Sequence, residues 1–146
     1  MMENKYVLAI LCILINVVSQ SLMKGGLGYK DKHGVQVVPA WAQKLGAKPT
    51  EVTIGKGWNQ VSAVAKNVPF VIGSLLGLFF FALWTSLISK AGLGFSNGFM
   101  ALFMIAISIV SYLIFEETFN IFKIAGLAVV ILGVFLLAVG ESQLSS

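Results

Sequence analysis

The chain has 146 residues, 58% of them hydrophobic and only 11% charged, with a mean hydropathy of +0.91. Soluble domains carry about 25% charged residues, so the composition excludes a soluble globular protein and places the chain in a bilayer. Its net charge of +4 comes from lysines, with no arginine, against six acids. That balance suits loops and lipid headgroups, and it lacks the arginine forks that read nucleic acid.

Four apolar stretches, 6–23, 68–89, 93–115 and 121–139, can each cross a hydrocarbon layer of ~30 Å, which takes about 20 residues. The expected fold is all-α: one transmembrane domain over residues 1–146, with four membrane helices and a long interfacial loop between the first two. The first stretch is too long for a signal-peptide core and no small-x-small cleavage site follows it, so it reads as a retained span. It carries Asn16 and Gln20 and is followed directly by Lys24, and their i, i+4, i+8 spacing stacks them on one helix face over about 12 Å. Such a stripe is costly against lipid and should face a cavity or another helix. Asn16 and Gln20 can donate to and accept from a polar headgroup, and Lys24 can steer a phosphate or snorkel to the interface. The same residues can equally act as glue between helices, at about 0.6–2 kcal/mol per contact.

Residues 25–67 differ in character: they hold six of the lysines, the single histidine and two of the three prolines. The segment is too long for a plain helix connection. Two pieces, "PAWAQKLG" (39–46) and "WNQVSAVAK" (58–66), read as short amphipathic helices, each with a tryptophan of the kind found at headgroup level. The insert is expected to lie along the membrane surface. Its glycine-rich run "GGLGYKDKHG" lacks both the GK[ST] ending and a preceding strand of a phosphate loop.

Pro69 opens the second span, where a missing N–H costs nothing. Gly73 and Gly77 there, and Gly126 and Gly133 in the fourth span, are small-residue faces that allow close helix contact, within one chain or between two. Tight turns at "SKAGLG" and "EETFN" make spans two to four an antiparallel series. No carboxylate lies inside a span, so no proton relay is visible. Glu117, at the head of the fourth helix, reads as a structural cap favoured by the helix dipole. Cys12 is alone and His33 has no second ligand nearby, so neither disulfide nor metal is expected. No nucleophile–base pair or carboxylate pair is visible, so no catalytic residue, cofactor or enzymatic activity is expected.

By the positive-inside rule, Lys24, the six insert lysines and Lys123 stand against Lys5 and Lys90. Taken alone, that count puts the insert in the cytoplasm and both termini outside.

The chain resembles the drug/metabolite transporter superfamily in its small four-span, EamA-like form, over the four spans but not over the loop from about residue 28 to 57. "ILINVVSQSLMK" is similar to the first helix of the small multidrug resistance proteins, with Asn16 where that family has its essential glutamate. The same segment is similar to the aminoarabinose–phosphoundecaprenol flippase subunits, through Val17-Val18-Ser19-Gln20 and Lys24. "LWTSLISKAGLGFSNGFMAL" resembles the family's second-to-third helix junction, and "EETFNIFKIAGLAVVILGVFLL" its last hairpin through Glu117, Gly126 and Gly133-Val134.

The resemblance implies a multi-pass protein of a bacterial inner membrane, acting as a homo- or heterodimer with Gly126 and Gly133 at the contact. Its substrate would be lipid-linked or amphipathic, such as a polyprenyl-phosphate-linked metabolite. Asn16, Gln20 and Lys24 would contact that substrate, and Trp84 and Phe99 would line its path. The family implies both termini inside, and we take that orientation as the expectation. Two further readings stay open: export of organic cations, and a non-transporting assembly or regulatory subunit.

Overall fold

The computed structural model describes residues 3–31, 33–50 and 58–144. Lys32, Glu51 and Lys56 of the insert lie outside the described residues, as does the side chain of Trp58. In chain order the elements are α1 (Glu3–Leu27), β1 (Tyr29–Lys30), β2 (Gln36–Val37), α2 (Ala40–Lys44), α3 (Trp58–Ala65), α4 (Val68–Ala91), α5 (Leu93–Phe115) and α6 (Ile121–Leu144). The described residues are therefore all-α apart from one two-stranded hairpin.

Three segments are long and apolar enough to cross a membrane: Lys5–Leu27, Val68–Ala91 and Leu93–Phe115. They make this a multi-pass membrane protein. The apolar part of α6, Ile121–Leu137, is shorter.

The helices are delimited by local chemistry. Pro69 lies in the first turn of α4, as its missing N–H predicts, and the Asn67 side chain caps that turn by accepting from the Phe70 N–H at 3.4 Å. A single residue, Gly92 at φ 84°, separates α4 from α5. That left-handed conformation is open to glycine at little cost. Helix α5 ends at Glu116, the one described non-glycine residue with positive φ, at 51°.

Helix α1 presents a buried seam of Ala9, Cys12, Asn16 and Ser19, spaced three and four apart as one helix face requires. The seam packs against α4 running the opposite way. Ala9 and Cys12 cluster with Leu87 near one end, while Ser19 meets Gly73 toward the other: its Oγ donates to the Gly73 carbonyl at 2.7 Å. A Cβ at Gly73 would come within 2.7 Å of the Ser19 carbonyl oxygen and 2.9 Å of the Met23 nitrogen, and one at Gly77 would stand 3.2 Å from Ser19 Oγ. The glycine pair of α4 thus serves a contact within the chain.

The insert folds over the end of the bundle where α1 stops and α4 starts. The hairpin pairs Tyr29 with Val37 and Lys30 with Gln36. Its turn is held by the Asp31 carboxylate, which accepts from the His33 and Val35 N–H groups at 2.8 and 2.9 Å. The hairpin was not foreseen, because two-residue strands leave no alternating pattern to read. The two short helices fall where expected. Val38, Ala42 and Ala47 form a small core of their own with Trp41 against it, and Trp41 lies over Gly25 so closely that a Cβ there would be 2.3 Å from its ring. Asn67 Nδ2 donates to the Gly26 carbonyl at 2.6 Å, tying α4's cap to the end of α1.

Candidate functional site

The expected stripe of Asn16, Gln20 and Lys24 does not share one face. Asn16 is buried, Gln20 is exposed and Lys24 is half-buried. At about 100° per residue, each four-residue step turns roughly 40° past a full circle, so two steps carry Lys24 well round the helix from Asn16. The buried seam instead passes through Ser19.

Asn16 lies at the midpoint of the Lys5–Leu27 span and is 6% exposed. Its side-chain amide makes no hydrogen bond to another described residue. Among the described residues the nearby Ser21 hydroxyl is the side-chain group that is both enclosed and unpaired, at a cost of about 1–3 kcal/mol; the Asn16 amide is unbonded but not fully enclosed.

Lys24 is engaged. Its ammonium donates to the Glu117 carboxylate and, at 3.0 Å, to Ser111 Oγ, and lies 4.3 Å from the centre of the Phe115 ring. Lys123 approaches the other Glu117 oxygen at 3.4 Å. The carboxyl of Glu117 is thereby held below the usual carboxylate range, chiefly by the hydrogen bond from Lys24 and further by Ser111 and Lys123, against the opposing effect of burial. The junction joins α1, α5, the loop after α5, and the first turn of α6.

Glu117 is not the cap of α6. Asn120 performs that role, its Oδ1 accepting from the Lys123 N–H at 2.8 Å, because a capping side chain must sit within three residues of the N–H it receives. The Glu117 carboxylate is drawn to the lysines instead.

Trp84 and Phe99 pack together with the Ala9, Cys12 and Leu87 cluster. Trp84 stacks on Phe80 with centroids 6.1 Å apart, and Phe99 contacts Phe95 and Tyr6 at 4.8 and 6.2 Å. Tyr6 and Lys24 stand 18 residues apart on one helix, about 27 Å, so Trp84 and Phe99 do not converge with Lys24 on one compact site. They belong to the opposite end of the bundle.

Two cavities meet at Glu117 and Lys123. One, of about 390 Å³, opens toward the hairpin and is lined by Tyr29, Lys30, Asp31, Glu116 and Thr118 among others. The second, of about 360 Å³, runs between α5 and α6. At Gly126 and Gly133 nothing lies within 4 Å of a would-be Cβ, so these glycines make no close contact within the chain. No group of three or more metal-ligating side chains occurs among the described residues.

Sequence reasoning missed Ser111 and the Lys24–Glu117 pair. A signal existed: Lys24 closes one span and Glu117 follows another on the same side of the bundle, where opposite charges meet readily. No protein-family model matches the chain, and neither curated proteins nor solved structures offer a match.

Proposed function

We propose that the chain is a subunit of a small membrane transporter or flippase in which α6 provides a fourth crossing, working as a homo- or heterodimer in a bacterial inner membrane. The cargo is a lipid-linked or amphipathic metabolite with a polar headgroup, such as a polyprenyl-phosphate-linked one. The observation that carries this reading is Asn16: a residue 6% exposed whose amide makes no hydrogen bond among the described residues and keeps its remaining access to the outside, at the centre of an apolar span. An uncompensated polar group at that depth is costly and marks a path for something polar. Gln20, one turn on and exposed, would take the headgroup as it leaves the seam. Movement is uncoupled from protons, since none of the three clear spans contains an acid.

The test is headgroup translocation in proteoliposomes, using a fluorescent phospholipid analogue and an impermeant quencher, with and without a proton gradient. Faster quenching that ignores the gradient supports the proposal. Movement of organic cations that requires the gradient favours the multidrug exporter reading instead.

One observation favours a second, non-transporting reading. Lys24 and Ser19 are both spent on contacts within the chain, to Glu117 and to the Gly73 carbonyl. In an assembly subunit the polar residues of α1 would serve only to hold helices together, and the protein would give no translocation in that assay.

A further inference from the structure

The cavity between α5 and α6 has apolar walls from Met104, Ile107, Leu127 and Val130, and it ends at Ser111, Glu117 and Lys123. Along α5 it extends from Ser111 to Met104, about 10 Å at 1.5 Å per residue. Gly126 lines it: a Cβ there would meet no atom within 4 Å, so a larger side chain would project into open space. Met104 is 55% exposed, which leaves the groove open on its outer side.

The charges at its head are unequal in their commitments. Glu117 is satisfied by Lys24, which also holds Ser111. Lys123 makes the longer 3.4 Å contact to Glu117 and lies 6.0 Å from the centre of the Phe119 ring, and its side chain is 51% exposed. Over Lys24, Glu117 and Lys123 one positive charge remains, and it resides on the looser lysine. Glu116 and Asp31, with Lys30, line the other cavity toward the hairpin, which Lys123 also borders, and Glu117 is the carboxylate that lines the groove itself.

An open apolar channel at membrane depth that ends on an under-compensated ammonium matches one occupant: an alkyl chain carrying an anionic head. We infer that the α5–α6 groove binds an anionic phospholipid, one acyl chain lying against Gly126 and the phosphate on Lys123. The site needs only the membrane setting of α5 and α6, not the movement of a substrate, so it stands or falls apart from the transport reading.

The experiment is native mass spectrometry of the full-length protein, exchanged into detergent with equal amounts of phosphatidylglycerol and phosphatidylcholine. The wild type should retain phosphatidylglycerol in roughly fivefold preference, the effect of about one lysine at a lipid surface. Lys123→Gln should abolish that preference, whereas Lys66→Gln, on the exposed insert, should preserve it. Gly126→Leu should lower retention of both lipids about tenfold without lowering the melting temperature, because its side chain enters empty space. Equal retention of the two lipids by the wild type overturns the proposal. So does unchanged retention in Gly126→Leu, or a Gly126→Leu effect on oligomeric state alone, which would make a second copy the occupant.

Discussion

Lys24 and Glu117, 93 positions apart in the chain, form an ion pair at the end of the bundle where α1 finishes and α5 gives way to α6. Through it a charged side chain of α1 reaches the last hairpin, and two helix ends become a single junction with Ser111 and Lys123.

The pair should show itself in the pH dependence of stability. Glu117 has its folded-state pKa depressed, chiefly by Lys24. Its contribution is therefore complete above the ordinary carboxylate value of about 4.3 and is lost as pH falls through the lower folded value. Melting curves of the wild type and Glu117→Gln should differ at pH 7, by an amount that solvent screening limits to about 1 kcal/mol. The gap between the two curves should narrow between pH 7 and pH 3. A gap of the same size at both pH values would show that the charge of Glu117 is not what stabilises the junction.

The two glycine pairs should respond oppositely to alanine. Gly73→Ala forces a Cβ against backbone atoms of Ser19 and Met23, and overpacking of this kind costs about 1–3 kcal/mol. Gly126→Ala meets nothing within 4 Å and should change the stability of the chain by no more than about 0.5 kcal/mol. Thermal unfolding in detergent measures both, and equal losses would mean that α6 is closely packed at Gly126.

Asn67 fastens α4 to the end of α1 through the Gly26 carbonyl and caps its own helix. Asn67→Ala removes both interactions and should cost about 1–2 kcal/mol. Limited proteolysis should then cut the insert faster than in the wild type. An unchanged cleavage rate would place the insert's anchorage elsewhere, for instance on Trp41 over Gly25.

How much of this was legible in the sequence depended on the range of the signal. Long apolar runs and the proline at the head of α4 are local, and the three clear spans followed from them. The stripe on α1 misled because i+4 spacing looks straight over one turn but drifts over two, which leaves Gln20 outside and brings Ser19 into the seam. The roles of Lys24 and Glu117 depend on which helix ends meet in space, and no local pattern records that. The aromatic residues Trp84 and Phe99 looked like path-lining groups, yet they cluster with Leu87 and Cys12, about 18 Å or more along α1 from Lys24.

The central claim rests on Asn16, and Asn16→Leu tests it most directly when translocation and stability are measured on the same preparation. Leucine removes an amide that makes no hydrogen bond among the described residues, from a residue only 6% exposed, so the melting temperature should hold or rise. The rate of fluorescent-lipid headgroup translocation in proteoliposomes should fall at least about tenfold, the equivalent of ~1.4 kcal/mol. An unchanged rate, or a fall in melting temperature with no specific loss of translocation, would contradict the account and make Asn16 a packing residue.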